Sequence, residues 1–177
     1  VIRDDITDLA NTYGDERRTE VLHGISTYFN ESDLVREEEV VILLTQQGYI
    51  KRVPSSAYRS QRRGGKGVIG MMRKEEDGLK QIVSCNSLDT LLFFTDKGKV
   101  YSQRAFTVME AARNAKGILA HSFLALMGDE RITAIVPVSS FEGTGYFVMA
   151  TRLGRIKRVR MEDFDDVRPS GLIALNL

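Results

Sequence analysis

The stretch Thr45-Gln-Gln-Gly-Tyr-Ile-Lys-Arg52 recurs twice in related form and decides the fold. Its counterparts are Thr95-Asp-Lys-Gly-Lys-Val-Tyr-Ser102 and Thr151-Arg-Leu-Gly-Arg-Ile-Lys-Arg158. In each copy an apolar run precedes the threonine and a second short run follows the glycine, which is the pattern of two strands joined by a tight turn. Glycine suits such a turn because it adopts a positive φ without steric cost. The sequence therefore predicts three β-hairpins.

A longer repeat contains these hairpins. Their turn glycines lie 50 and 56 residues apart, and a second glycine followed by an apolar residue recurs 19, 19 and 17 residues farther on. A unit of this size cannot bury both faces of its own small sheet, so it stacks on its neighbours. We predict a mainly β, propeller-like fold with about three four-stranded blades, at 40–87, 88–142 and 143–177. The glycines are Gly48, Gly98, Gly154, Gly67, Gly117 and Gly171.

The residues before the first hairpin have a different character. Apolar residues recur at helical spacing from Ile2 to Tyr13, and Gly14 follows them, which predicts a short amphipathic helix over 2–13. Residues 24–39 contain few apolar side chains and end in three consecutive glutamates. We interpret this stretch as an acidic linker.

Charge is divided unevenly between these two parts. Residues 1–39 hold 4 Lys and Arg against 11 Asp and Glu, whereas residues 40–177 hold 21 against 13. The β-rich part is therefore basic, and a polyanion is a plausible partner for it. The excess of positive charge is small, so whether this part binds a polyanion depends on where its cations lie.

Several classes of function are disfavoured by composition. No apolar run approaches the roughly 18 residues of a membrane span, and the first residues lack the pattern of a signal peptide, which predicts a cytoplasmic protein. Cys85 is the single cysteine, and His23 and His121 lie far apart, so neither a disulfide nor a metal site is expected. No nucleophile with a neighbouring base stands out. We expect no catalytic site, metal or cofactor in this chain.

The heptad Gln61-Arg-Arg-Gly-Gly-Lys-Gly67 interleaves three cations with three glycines. Glycine lets the backbone approach a phosphate, while arginine and lysine supply charge and hydrogen-bond donors. The composition favours a phosphodiester contact, and a merely solvated basic turn is the alternative. It does not match a nucleotide-binding P-loop.

Four motifs together resemble the DNA gyrase A-subunit family. The heptad at 61–67 is similar to that family's signature box, and Tyr13-Gly-Asp-Glu-Arg-Arg-Thr19 resembles the end of its cleavage domain. Gly48-Tyr-Ile-Lys-Arg52 and Phe93-Phe-Thr-Asp-Lys-Gly98 resemble its blade repeats. The A subunit of the related topoisomerase IV has similar blades but usually lacks an intact box, and it stays as the alternative.

The resemblance implies a β-pinwheel, a disc whose blades exchange strands and whose rim binds and bends duplex DNA. Residues 1–23 would be the tail of the cleavage domain, 24–39 a linker and 40–177 part of a disc that has five or six blades in the family. The cleavage tyrosine would lie upstream of this chain. ATP and Mg²⁺ would be used by the holoenzyme, which acts at the bacterial nucleoid and contains a second A subunit together with the gyrase B subunit.

Candidate DNA contacts are the box together with cations that recur around the repeats. If about 6–8 phosphates are neutralised, the log–log salt slope of binding should be on the order of −5 to −7. A protein-interaction propeller, with the acidic residues at 31–39 folded onto the basic edge, is the competing hypothesis. The candidate residues are Gln61, Arg62, Arg63, Gly64, Gly65, Lys66, Gly67, Lys51, Arg52, Lys97, Lys99, Arg113, Lys116, Arg152, Arg155, Lys157 and Arg158.

Overall fold

The computed structural model describes residues 2–14, 31–58 and 77–176. The chain forms two compact units, 1–31 and 32–177. In the first unit, helix α1 spans Ile2–Tyr13, which confirms the predicted helix. It ends where the Gly14 amide donates to the Ala10 carbonyl at 2.9 Å. Its apolar stripe is exposed within this unit, from Ile2 at 76% to Tyr13 at 79%.

The second unit is built from short antiparallel strands, and several of these strands are each followed by a short 3-10 turn. The mainly β fold predicted from the repeats is confirmed. The strands are β1 Glu39–Thr45, β2 Tyr49–Pro54, β3 Leu79–Asn86, β4 Thr90–Thr95, β5 Lys99–Arg104, β6 Ile118–Leu119, β7 Ile132–Val138, β8 Tyr146–Ala150, β9 Ile156–Arg160 and β10 Leu172–Ile173. A 3-10 turn at Glu31–Leu34 begins at the last residue of the first unit, and the other 3-10 turns of the described residues are Ser55–Ala57, Ala105–Thr107, Ala120–Ser122 and Met161–Phe164.

Strands are exchanged between successive repeats. The first sheet has the order β3-β1-β2-β6, and the second has the order β10-β5-β4-β7. In each case three strands come from one repeat, and the fourth comes from beyond the next hairpin along the chain. Tyr49 and Ile50 pair with Leu119 and Ile118, and Val100 pairs with Leu172 in the same way. No sheet among the described residues reaches four strands with its own repeat alone.

The three hairpin turns are built alike, as the sequence repeat predicts. Gly48, Gly98 and Gly154 have φ values of 84°, 72° and 80°. In the first and third turns the hydroxyl of the threonine three residues earlier accepts a hydrogen bond at 3.0 Å from the amide that follows the glycine. The second turn makes the same bond at 3.3 Å. The Thr-x-x-Gly motif thus sets the register of each hairpin.

The second sheet is buried on both faces because β4 sends alternate side chains to opposite sides. Leu91 and Phe93 pack towards the first sheet, in a core shared with Ile42 and Leu44 of β1. Leu92 packs on the other side, in a core that includes Phe164. Three phenylalanine rings meet edge to face in that second core, with centroids 5.5–6.2 Å apart. They are Phe94, Phe147 and Phe164.

The third hairpin pairs β8 with β9 and forms a two-stranded sheet within the described residues. The predicted third four-stranded blade is therefore present only as its central hairpin. One face packs into the second core through Phe147 and Met149. The other face is open: Val148 is 68% exposed and Ile156 is 73% exposed, although the matching Ile42 of the first hairpin is fully buried.

The later glycines of the repeat mark the start of the exchanged strands. Gly117 and Gly171 have φ values of 85° and 82° and directly precede β6 and β10. A Cβ on Gly117 would meet the Ile50 carbonyl oxygen and, at 3.0 Å, the Cβ of Lys51. A Cβ on Gly171 would lie 2.9 Å from the Tyr101 ring. These positions need glycine both for backbone conformation and for close packing on the preceding repeat. Gly67, the third member of the set, lies outside the described residues.

Replacing Gly117 by alanine should destabilise the protein more than the same change at Gly48. Both glycines have nearly the same φ, 85° and 84°, but a Cβ at Gly48 meets nothing within 4 Å. Gly48→Ala should therefore cost about 1–2 kcal/mol from the left-handed backbone alone. Gly117→Ala should cost about 1–3 kcal/mol more because of the clash. Urea unfolding of both variants measures the difference, and equal losses would show that the close approach is unimportant.

Candidate nucleic-acid interface

Each four-stranded sheet has an inner and an outer edge. The inner strands β3 and β7 are joined through Gln81, whose side-chain amide donates to the Ile135 carbonyl at 2.7 Å and accepts from the Ile135 amide at 2.8 Å. The opposite edges carry the exchanged strands β6 and β10. We call these the outer edges. They are the places where a long ligand could lie across successive sheets.

The outer edge of the first sheet carries a basic loop, residues 112–116. Within it the Ala115 amide donates to the Ala112 carbonyl at 2.9 Å, which closes a tight turn. Arg113 and Lys116 are both partly exposed on this loop. The Lys116 ammonium lies 3.5 Å from the centroid of the Tyr49 ring. A cation–π contact of this kind restricts the lysine without neutralising its charge. The loop thus presents two cations close together.

The corresponding segment of the second sheet, residues 161–171, is acidic. Its carboxylates are exposed, and only Arg160 and Arg168 stand near them in sequence. Arg160 is itself paired with Glu162 at 2.8 Å. The two outer edges therefore differ in sign, although the fold places them alike. The exposed acids are Glu162, Asp163, Asp165 and Asp166.

Two of the predicted surface cations are engaged inside the protein. Lys51 is fully buried, and its ammonium donates to the carbonyls of Ala112, Arg113 and Ala115 at 3.2, 2.5 and 2.9 Å. The prediction that Lys51 lies on the surface is wrong, because its side chain is held by carbonyls of the loop that precedes β6. Burial also lowers the pKa of Lys51 from its usual 10.5.

Arg52 is the second correction. Its side chain is only 13% exposed and forms ion pairs with Glu110 at 3.0 Å and Glu38 at 3.5 Å. The Nε group also donates to the Val108 carbonyl at 3.2 Å. Two carboxylates and a carbonyl therefore hold a guanidinium that the sequence placed at the surface. Arg52 ties the start of β1 to the segment after β5.

The remaining described cations of the predicted set are at the surface. Lys97 pairs with the exposed Asp129 at 3.2 Å, and the Lys99 ammonium lies 3.4 Å from the Met127 sulfur. On the third hairpin, Arg158 lies over the Tyr146 ring at 4.6 Å. Three further cations there are exposed: Arg152, Arg155 and Lys157. Arg155 and Lys157 donate to the carbonyls of Asn176 and Ala174.

The seven box residues, 61–67, lie outside the described residues. Their role in binding therefore stays a prediction from sequence. Arg113 and Lys116 of the basic loop stand 50 residues after Arg63 and Lys66 of the box, the same distance as separates Gly117 from Gly67. The described loop is thus the box's counterpart in the next repeat.

A buried polar cluster, which the sequence did not reveal, occupies the position of Lys51 in the second sheet. Tyr101 is the counterpart of Lys51, and its hydroxyl donates to the Glu130 carboxylate at 2.9 Å. Glu130 is 1% exposed and also accepts from the Thr95 hydroxyl at 2.6 Å and the Met127 amide at 3.0 Å. The carboxylate therefore ties the second hairpin turn to the loop before β7.

The ionisation of this cluster follows from its contacts. Burial alone would raise the pKa of Glu130, but hydrogen bonds from Thr95, the Met127 amide and Tyr101 together lower that pKa below its usual 4.5. Burial, followed by the hydrogen bond to Glu130, raises the pKa of Tyr101 to about 12. At neutral pH the pair is a carboxylate and a neutral phenol. This state suits a structural role.

Other chemistry has little support in the described part of the chain. There, no group of three or more His, Cys, Asp and Glu side chains is placed to hold a metal ion. Burial raises the pKa of the Cys85 thiol to about 11. No helix among residues 2–14, 31–58 and 77–176 is both long and apolar enough to cross a bilayer.

Stacked sheets that exchange strands, with cations on an outer edge, define the class as a propeller-like domain. The chain belongs to the family of DNA gyrase C-terminal domains, described as a beta-propeller, and the family's model matches residues 39–86, 89–139 and 145–177. These three matches begin at or next to the first strand of each hairpin. The repeat structure predicted from sequence is therefore that of the family.

Curated relatives are similar along the whole chain. This chain is 41% identical over 177 residues to the DNA gyrase A protein of Mycobacterium leprae (strain TN), and the match covers 100% of this chain and 14% of the relative. The corresponding gyrase protein of Halalkalibacterium halodurans is 41% identical, covering 100% of this chain and 21% of the relative. The chain thus spans about a fifth or less of these relatives' length.

Solved structures share the fold. The C-terminal domain of a DNA topoisomerase IV matches with a TM-score of 0.67 and 28% identity, covering 81% of this chain and 43% of that one. A DNA gyrase A C-terminal domain matches with a TM-score of 0.63 and 26% identity, covering 77% and 43%. The overall fold of this chain is therefore shared with both types of domain.

Glu130→Gln should weaken the fold and reduce its sensitivity to acid. The loss of charged hydrogen bonds should cost about 1–3 kcal/mol at neutral pH. Because the folded-state pKa of Glu130 is depressed, its contribution is present above about pH 4.5 and is lost as the pH falls through the folded value. Unfolding free energies measured from pH 7 downwards should show this component in the parent protein and not in the variant.

Asp129→Asn is the matched control for this measurement. It removes a neighbouring carboxylate that is exposed and ion-paired with Lys97, so the change should stay within about 0.5 kcal/mol. Comparable losses in the two variants would contradict a special role for Glu130.

Proposed function

We propose that this chain binds and wraps duplex DNA with little sequence preference, as part of a DNA gyrase that supercoils DNA negatively with ATP. One observation carries the proposal: the basic loop at 112–116 offers Arg113 and Lys116 on the outer edge of a sheet in a chain that belongs to the gyrase C-terminal family. Guanidinium and ammonium groups on an edge suit phosphates spaced along a backbone.

The local geometry favours contact with the phosphate backbone over reading of bases. Arg113 and Lys116 sit on a short, tight turn, and no helix or two-stranded ribbon projects from it to enter a major groove. Contacts of this type fix position on the duplex and depend strongly on salt. Sequence dependence would then come from how easily the DNA bends.

The wider assembly follows from the relatives and is part of the proposal. The chain would work with the gyrase B subunit, with a second copy of the A protein and with the upstream cleavage domain, which together would supply ATP hydrolysis, Mg²⁺ and DNA cleavage. Residues 1–23 would be the end of that cleavage domain and 24–39 a linker. The protein would act in the bacterial cytoplasm, at the nucleoid. This chain itself would be non-catalytic and bind no cofactor.

One observation favours the competing interaction module. Glu38, in the acidic stretch at 31–39, contacts Arg52 at 3.5 Å, so part of that stretch does fold onto a predicted basic position. Arg113 and Lys116 nevertheless have no carboxylate within ion-pair distance among the described residues. Duplex binding is therefore the better interpretation of the outer edge, and the A protein of a topoisomerase IV would use it similarly.

Arg113→Ala and Lys116→Ala should each weaken DNA binding across all sequences. Each variant should lower the magnitude of the log–log salt slope by about 0.9, because one fewer counterion is released. Filter binding of a random-sequence duplex at several salt concentrations measures both effects. Lys80→Ala is the control, because it makes the same charge change on the inner strand β3. If Lys80→Ala matched the outer-edge variants, only net charge would matter.

Wrapping, as distinct from binding, should change DNA topology. Nicked circular DNA sealed by ligase in the presence of the chain should show a shift in linking number of constant sign that grows with protein concentration. The Arg113→Ala/Lys116→Ala double variant should give a smaller shift at equal occupancy, because the path along the edge loses two contacts. Tight binding without any shift would support a simple DNA-binding module.

A further inference from the structure

The buried position of Lys51 raises the question of what its charge does. The side chain is fully buried, yet its ammonium reaches three backbone carbonyls of one short turn, those of Ala112, Arg113 and Ala115. An ammonium group has three donors in a compact arrangement. Carbonyls that converge on such a group hold the backbone in one conformation. The turn in question is the basic loop on the outer edge.

The contacts around this turn come from β2 of the first sheet. Gly117 packs directly on Lys51, and a Cβ there would lie 3.0 Å from the lysine Cβ. Tyr49, two residues before Lys51 on the same strand, lies under the Lys116 ammonium at 3.5 Å. Strand β2 therefore holds the backbone of the loop through Lys51 and restricts the Lys116 side chain through Tyr49.

Resting on the proposed function, we infer that Lys51 is a positioning residue for DNA binding: it preorganises the 112–116 loop so that Arg113 and Lys116 face the duplex. Lys51 makes no phosphate contact of its own. Preorganisation saves the entropy that would otherwise be lost when the loop and its two long side chains become ordered on the ligand. The effect is on affinity and leaves the number of phosphates contacted unchanged.

The second sheet provides an internal contrast. At the same repeat position stands Tyr101, whose hydroxyl goes to Glu130 of its own repeat and not to the segment 165–170. That segment carries Asp165, Asp166 and Arg168, and the residues aligned with Arg113 and Lys116 are the uncharged Val167 and Ser170. Lys51, which donates to loop carbonyls, thus occurs in the sheet whose outer loop is basic. Tyr101, which donates to a carboxylate, occurs in the sheet whose outer segment is acidic.

The test is Lys51→Met, which keeps the length of the side chain and removes the charge. Duplex affinity should fall by about five- to tenfold, the cost of ordering two side chains. The salt slope should stay that of the parent protein, whereas a direct phosphate contact at Lys51 would lower it by about 0.9. An unchanged affinity, or a reduced slope, would overturn the positioning role.

A double-variant comparison separates positioning from general damage to the fold. Lys51→Met placed on the Arg113→Ala/Lys116→Ala background should cause no further loss of affinity, because the groups it positions are gone. Tyr101→Phe is the matched control: it removes a buried hydrogen bond at the same repeat position and should lower stability without lowering affinity. A further loss on the double-variant background would contradict the proposal.

Hydrogen exchange decides the same question without DNA. The Ala115 amide, bonded to the Ala112 carbonyl, should exchange faster in Lys51→Met, while amides in β4 keep their protection. If the parent chain bound no duplex, the proposed DNA-binding function would be rejected. If the exchange rate of the Ala115 amide were unchanged in Lys51→Met, the role of Lys51 in ordering the loop would be rejected, whatever the result of the binding assay. Should Lys51→Met not fold, Lys51→Gln retains a donor and should show a smaller change in the same direction.

Discussion

The pairing of each sheet with a strand from the next repeat is the constraint on which the rest of the structure depends. β6 completes the first sheet and β10 completes the second, and each is only two residues long. Such short strands hold because glycines at 117 and 171 let the backbone lie against the preceding hairpin. The segments that lead into these strands are thereby fixed on the outer edge, and the basic loop is one of them. Function on that edge is a consequence of how the sheets are closed.

Burial in this chain follows from stacking. β4 is apolar at nearly every position because both of its faces are covered, one by the first sheet and one by the third hairpin. β8 has the same pattern of residue types, but only one face is covered, so Val148 stays exposed. The same alternation therefore gives a buried or an exposed face depending on whether a neighbouring sheet is present. Lys51 shows that a charged residue can occupy a buried site if carbonyls converge on it.

Much of the fold could be predicted from local signals. The Thr-x-x-Gly turns encode the hairpins because the glycine conformation and the threonine hydrogen bond lie within eight residues of each other. Strand exchange could not be predicted from pattern, since two-residue strands have no periodicity and their partners lie some 70 residues away in sequence. The recurring glycines at 117 and 171 mark where the exchanged strands begin, but they do not show which sheet each strand joins. The resemblance to the family, and no pattern of residues, supplied the exchanged arrangement.

The candidate site was predicted in part. Sequence shows where cations are, but burial depends on what the backbone brings close, so Lys51 and Arg52 were placed at the surface although carbonyls and carboxylates hold them inside. One usable signal existed: Lys51 aligns in the repeat with Tyr101, and tyrosine is a residue type that is buried more often than lysine. The acidic character of 161–171 was also visible, since this segment holds four carboxylates and a single arginine.

The offset between repeat and sheet also bears on how such a chain can lengthen. A duplicated segment that starts at one hairpin and ends before the next carries its own hairpin, but its exchanged strand belongs to the sheet before it. Adding a copy therefore supplies three strands to a new sheet and one strand to the sheet before it. Surface charge on an edge is inherited from the incoming copy, whereas the strand beneath that edge belongs to the older one. The loop on the outer edge and the strand that contacts it can then diverge separately. In the first sheet Lys51 donates to carbonyls of a basic loop, whereas in the second sheet Tyr101 donates to Glu130 and the edge segment is acidic.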